Sequence, residues 1–197
     1  MSQVKSPGVH TDGRFTFLNE FLKHPLQIAS IIPSSRSVER RIVETAGVNF
    51  SNSIIELGPG TGGTTRAILR AMAPQARLLS IEINPRLYEL VNRIKDDRFI
   101  AHHGSAEDLR EIISSYGMNT PDVFISGIPF SLMSRSTGSK ILEAITSVLS
   151  PGGRFVAYQV SGQVASVSRP FLGKAVVELQ LFNIPPLRIY RWEKNSR

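Results

Sequence analysis

Past residue 50 the chain switches repeatedly between two hydrophobic periods, and that alternation limits the folds open to it. Short apolar runs stand at 54–57, 77–83, 98–102, 122–126 and 154–160, and helix-period stretches fill 64–72, 85–94, 106–116 and 137–149. Five strands alternating with four helices predict a parallel, doubly wound α/β sheet, because right-handed crossovers leave few other arrangements. The tail breaks the rule. Residues 176–182 and 187–192 are strand-like, joined through Asn183-Ile184-Pro185-Pro186 without a helix, which predicts an antiparallel pair at one edge of a seven-stranded sheet. A further helix is expected over 36–46, ahead of the sheet.

Composition narrows the setting. With 197 residues, 41% of them hydrophobic, the chain can bury one sizeable core, so a single domain is expected, with 1–46 as an amino-terminal helical arm or lid and 47–197 as its body. The absence of cysteine excludes disulfides, a thiolate nucleophile and thiolate-bound metal, and no metal is expected. No apolar stretch approaches the ~20 residues that span a bilayer. Together with a polar beginning, this fits a cytoplasmic protein, and a net charge of +7 attracts polyanions, either nucleic acid or an anionic membrane leaflet.

The first strand ends in ELGPGTGG, residues 56–63. Gly58, Gly60 and Gly63 match the G-x-G-x-x-G spacing of dinucleotide sites, so spacing alone does not identify the ligand. Glu56 adds a constraint. A carboxylate at the carboxyl end of strand one repels a pyrophosphate and attracts an ammonium, unless it is only a helix-capping acid. Glu82, twenty residues beyond Gly62, is placed to accept hydrogen bonds from both hydroxyls of a ribose. A ligand with a ribose, an ammonium and no phosphate is S-adenosylmethionine.

ELGPGTG, the acidic end of IEIN, GSAEDL after strand three, SGIPF at strand four and the PGG turn occur in the order found in class I S-adenosylmethionine-dependent methyltransferases, which this chain resembles. The resemblance implies a Rossmann-like methyltransferase sheet. It also implies that Glu56, Gly58, Gly60 and Gly62 line the methionine and ribose, Glu82 the ribose, Ile83 the adenine face and Ser105-Ala106 the adenine edge, with Ser126 completing the set. Many relatives carry Asp where this chain has Ser105.

Methyl transfer to nitrogen is an in-line displacement that positioning and desolvation can largely drive. No residue pattern announces a base, and His102-His103 after a short strand fits a solvated or capping position better. Ser126-Gly127-Ile128-Pro129-Phe130 stands where adenine N6-methyltransferases carry Asn/Asp-Pro-Pro-Tyr, whose side-chain and backbone carbonyls accept from the base amine. Gly127 removes the amide, whereas Phe130 keeps a π face for an ammonium. A small alkylamine fits better than a base.

FLNEFLKHPLQIASIIPSSR, ELGPGTG, VFISGIPF and FNIPPLRIYRW together resemble the small soluble phospholipid N-methyltransferases of bacteria, over residues 17 to 192. That family implies a peripheral membrane enzyme methylating phosphatidylethanolamine towards phosphatidylcholine. The arm at 15–32, with Phe17 and Phe21 beside basic groups, is then a lipid-binding segment, or equally a lid. Phe130, Tyr158 and Tyr190 are candidates for holding the ammonium, each with a core role as its alternative. Arg36 and Phe21 are candidate substrate contacts, Arg36 through the lipid phosphate. The expected partners are a phospholipid substrate and the inner membrane face, without nucleic acid. Three other readings stay open: an RNA adenine N6-methyltransferase, a methyltransferase of a small soluble acceptor, and a lipid-surface binding module.

Overall fold

The computed structural model describes residues 36–181 and 186–195. The arm at 15–32 with Phe17 and Phe21, the Pro33-Ser34-Ser35 stop, and residues 182–185 of the last turn lie outside the described residues.

Seven strands form one sheet in the order β3-β2-β1-β4-β5-β7-β6. They are β1 (Ser53–Leu57), β2 (Arg77–Glu82), β3 (Phe99–His103), β4 (Val123–Ser126), β5 (Arg154–Gln159), β6 (Val176–Gln180) and β7 (Leu187–Glu193). The first five pair in parallel, whereas β7 runs antiparallel to both β5 and β6. Six α-helices are present among the described residues: α1 (Arg36–Ala46), α2 (Gly63–Ala71), α3 (Pro85–Asn92), α4 (Leu109–Ser115), α5 (Arg135–Val148) and α6 (Gln163–Leu172).

The central strands read as continuous apolar runs because both faces of the sheet are covered. Ile55, Leu57, Phe124 and Phe155 point into a core shared with α4, α5 and α6. Their neighbours Ile54, Val123, Ile125 and Val156 point the other way, into a core shared with α1 and α2. Hence side chains at even positions of β1, such as Glu56, lie on the α1–α2 side.

Three features depart from the sequence expectation. Helix α6, between β5 and β6, is not announced by SGQVASVSRPFL, which is rich in Ser and Gly and carries Pro170. The proline is tolerated because its missing N–H would have served Ser166, whose position is exposed to solvent. The helix expected over 106–116 begins as a 3₁₀ turn, Ala106–Asp108, before α4. Finally, α1 buries Val38, Ile42, Val43 and Ala46 in the same core as β1 and β4, so this part of the expected arm belongs to the body.

Phe155 links β5 to the antiparallel edge: it is fully buried and its ring stacks on Trp192 with centroids 5.1 Å apart. Phe155→Ala leaves a cavity under that junction and is expected to cost about 3–5 kcal/mol, measured by urea denaturation.

Candidate active site

The carboxyl ends of β1, β4 and β3 continue their ladder beyond the strands, through Gly58 N–H to Ile81 O at 2.9 Å, Gly127 N–H to Leu57 O at 2.9 Å and Gly104 N–H to Glu82 O at 3.0 Å. Three loops are thus fixed at one end of the sheet. Gly58 has φ +70°, and a Cβ there would sit 3.2 Å from Ile128 Cγ1, so conformation and close approach both demand glycine. Gly62 caps α2 in the left-handed region, at φ +83°, and Gly60 adopts the same region.

Glu56 is fully buried. Its Oε2 accepts from Ser80 Oγ at 2.5 Å and from Thr65 Oγ1 at 2.7 Å, so one oxygen ties β1 to β2 and to the first turn of α2. Its Oε1 has no partner among the described residues. Burial pushes this carboxyl from its ordinary value near 4.5 up to about 7, against the opposing pull of the two hydroxyls. A buried acceptor with nothing to accept from is what an ammonium would satisfy.

Glu82, also buried, accepts the Asn84 N–H on Oε1 at 2.9 Å and the Gly60 N–H on Oε2 at 3.2 Å. It therefore holds the glycine loop, and its backbone donors do not saturate the two oxygens. Burial raises its pKa, and the backbone donors counter it. Ile83, next along, is 40% exposed, an apolar side chain left uncovered at the end of β2. Ser105 spends its hydroxyl as an N-cap, accepting from Glu107 N at 3.1 Å, and Ala106 is buried beside it.

At the end of β4, Ser126 Oγ accepts from Ile128 N at 3.3 Å and is wholly buried. A Cβ added at Gly127 would fall on the hydroxyl of Tyr158, 2.8 Å from its Cζ and 2.8 Å from the Gly58 carbonyl oxygen. Tyr158 reaches there from β5 and accepts from Thr64 Oγ1 at 3.4 Å. Burial, then the charge of Glu56, pushes this phenol up, so it stays protonated at neutral pH. Gln159, buried beside it, donates its side-chain amide to the carbonyl of Ile128.

The three aromatic candidates are not gathered in one place. Tyr158 packs in the α1–α2 core, whereas Phe130 and Tyr190 belong to the core on the opposite face. Phe130 is 1% exposed and lies against Gly138, and Tyr190 stacks on Trp192 with its hydroxyl donating to Ser161 O at 3.4 Å. Arg36 begins α1 and is exposed. His102 is half-buried with Nδ1 3.0 Å from the Tyr116 hydroxyl, and His103 stacks on Tyr88. Thr64, Thr65, Ser80 and Gln159 were not among the sequence candidates. Ser80 had a signal, since it is the lone hydroxyl inside the apolar run RLLSIEI.

No family model matches the sequence. It is similar to the ornithine lipid N-methyltransferase of Singulisphaera acidiphila, 27% identical over 179 residues that cover 89% of this chain and 93% of that protein. The fold matches that of the N-methyltransferase NodS from Bradyrhizobium japonicum WM9, solved in complex with S-adenosyl-L-homocysteine. The TM-score is 0.68 at 13% identity, over 93% of this chain and 99% of that one. It also matches magnesium protoporphyrin IX methyltransferase from Synechocystis PCC 6803 with bound S-adenosylmethionine, at TM-score 0.71 and 10% identity, over 96% and 100% of the two chains. At such identities what is shared is the fold.

Two predictions follow from the buried groups. A carboxyl whose folded pKa is raised makes the native state bind more protons than the unfolded one, so its contribution to stability falls as pH rises from about 4.5 to about 7. Across that window Glu56 is expected to cost at most about 3 kcal/mol. Glu56→Gln flattens this slope in urea titrations at stepped pH. Separately, Gly127→Ala is expected to cost roughly 1–3 kcal/mol through its collision with Tyr158. Combined with Tyr158→Leu, the loss falls short of the sum by more than about 0.5 kcal/mol in a double-mutant cycle.

Proposed function

We infer that this chain, which has the fold and motif order of the class I S-adenosylmethionine-dependent methyltransferases, is an N-methyltransferase whose acceptor is the head-group amine of a membrane lipid. S-adenosylmethionine is the cofactor, and it supplies a methyl group on a sulfonium that departs as a neutral thioether. The residues present suit it. Glu56 Oε1 is the unpartnered acceptor for the ammonium, Glu82 has lone pairs for a ribose, and exposed Ile83 offers an apolar surface to a ring.

The observation that carries the choice of acceptor is the floor at the end of β4. Recognition of a planar base amine takes two acceptors there, a side-chain amide and a backbone carbonyl. Here the amide position is Gly127 with a tyrosine hydroxyl over it, and the Ile128 carbonyl already accepts from Gln159. Neither acceptor is presented as a base requires, and an alkylamine needs neither. The likeness to a lipid N-methyltransferase along nearly the whole chain supports the same acceptor class.

Phosphatidylethanolamine is the acceptor we propose, with the amine of an ornithine lipid as the second reading that this relative favours. Both carry an alkylamine that must be neutral when it attacks. Tyr158, held protonated by burial, serves as a hydrogen-bonding and apolar wall rather than as the base. No described helix is long and apolar enough to cross a membrane, so the lipid is to be met from one side, at the surface.

The test incubates the protein with methyl-labelled S-adenosylmethionine and separate vesicles containing phosphatidylethanolamine or ornithine lipid, with total RNA in a parallel reaction. Label is expected in the organic phase on the lipid amine, and Glu56→Ala is expected to reduce it at least 100-fold, a loss of about 3 kcal/mol. Label confined to RNA, or to a water-soluble amine, would overturn the lipid reading.

A further inference from the structure

Away from the carboxyl ends of the strands, the outer surface of α1 and α2 encloses a groove of about 560 Å³ lined by Arg36, Arg40, Arg70, Val43, Ala67 and Ala71. Its rim holds three cations, and none of its described lining residues is an acid. Its floor is apolar. Arg36 and Arg40 stand one helical turn apart on α1, and Arg70 faces them from the last turn of α2. The charges are barely neutralised. Arg40 approaches Glu44 only to 3.8 Å and Arg70 approaches Glu39 only to 3.9 Å, both longer than a charged hydrogen bond, with the arginine side chains 75% and 66% exposed. Arg36 makes no ion pair among the described residues.

We propose that this groove binds the phosphate of an anionic phospholipid and so docks the enzyme on the membrane, at a site separate from the acceptor amine. The inference rests on the lipid reading given above. Three features select this occupant. All three cations are arginine, whose planar fork matches phosphate oxygens two at a time, where lysine would offer only a point charge. The apolar floor of Val43, Ala67 and Ala71 suits the glycerol and upper acyl carbons that follow a lipid phosphate, and has no use for a nucleic-acid backbone, which remains hydrated. The chain as a whole carries +7, which draws it to an anionic leaflet before any specific contact forms.

Glu39 links the groove to the start of α2. Glu39, between Arg36 and Arg40 on the same helix, has its carboxylate where a Cβ on Gly63 would fall, and Gly63 is the first residue of α2. Arg70, the groove's third cation, is therefore one long ion pair from the helix terminus that closes the glycine loop.

The experiment is flotation of the full chain with phosphatidylcholine vesicles, with and without one-third phosphatidylglycerol, in the absence of methyl donor. The chain is expected to bind the anionic vesicles far better. Arg40→Gln/Arg70→Gln is expected to weaken that binding roughly thirtyfold, given the usual contribution of a basic residue near an anionic surface. Unchanged S-adenosylmethionine affinity by calorimetry and an unchanged melting temperature establish that the variant is folded. Equal binding of variant and parent to the anionic vesicles would overturn the proposal. So would indifference of the parent to phosphatidylglycerol, or a variant that loses RNA binding and keeps vesicle binding. Because no turnover is read, the result stands apart from the methylation assay: a chain that methylated a soluble amine would still float or fail to float by its arginines.

Discussion

A carboxylate sealed from water joins the parts on which the site depends. Glu56 comes from the central strand, and through a single oxygen it holds Ser80 of β2 and Thr65 of α2. Desolvating a carboxylate is expensive, and two hydroxyl donors offset only part of it. The remaining cost is concentrated on Oε1, which has no donor among the described residues. Had the two hydroxyls been shared between the oxygens, the group would be better satisfied and less able to take a ligand. The arrangement favours ligand affinity over stability of the free protein, a trade expected at binding sites.

The glycine loop inherits its shape from this anchoring. Its exit is fixed where Thr65 meets Glu56, its middle where Gly60 N–H meets Glu82, and its entry where Gly58 N–H meets β2. Each contact comes from a strand or a helix rather than from another loop, so the shape of the loop is preorganised. Glu82 illustrates the economy: the residue expected to serve only a ribose also holds the loop beside it.

Much of this was readable from period and spacing. The alternation of strand and helix patterns gave the parallel body, and the helix-free Val176–Trp192 stretch gave the antiparallel edge. The positions of Glu56 and Glu82 at strand ends followed from the same periods. Helix α6 was hidden because Gly162, Ser166, Ser168 and Pro170 dilute its apolar face, Val164 and Val167, below what a pattern can reveal. The place of Tyr158 was hidden for another reason. Its contact with Gly127 depends on β4 and β5 pairing with Ser126 beside Ala157, a register set by the whole sheet and not by either segment. Phe130 looked available for a ligand because it stands at the aromatic position of SGIPF, yet Gly138 opens a space in α5 that its ring fills.

Gly127 and Tyr158 show how one fold changes its acceptor without changing its sheet. An amide at position 127 would offer a planar donor and acceptor pair, matched to a planar base edge. Deleting that side chain leaves a void at the end of β4, and an unfilled void or a trapped water there would cost stability and blur the geometry. Tyr158 fills it from the neighbouring strand with one hydroxyl, already engaged by Thr64, and an aromatic body. The same volume is occupied, but a directional, planar pattern has become a mostly apolar wall beside a cationic centre. Such a wall does not distinguish the edges of a base, which is why the proposed acceptor is an alkylamine. Specificity for the acceptor must then come from elsewhere on the surface, where the substrate is presented. On the proposed lipid reading, a permissive floor is best served by a docking site that favours membranes, the role proposed for the three arginines over the apolar groove.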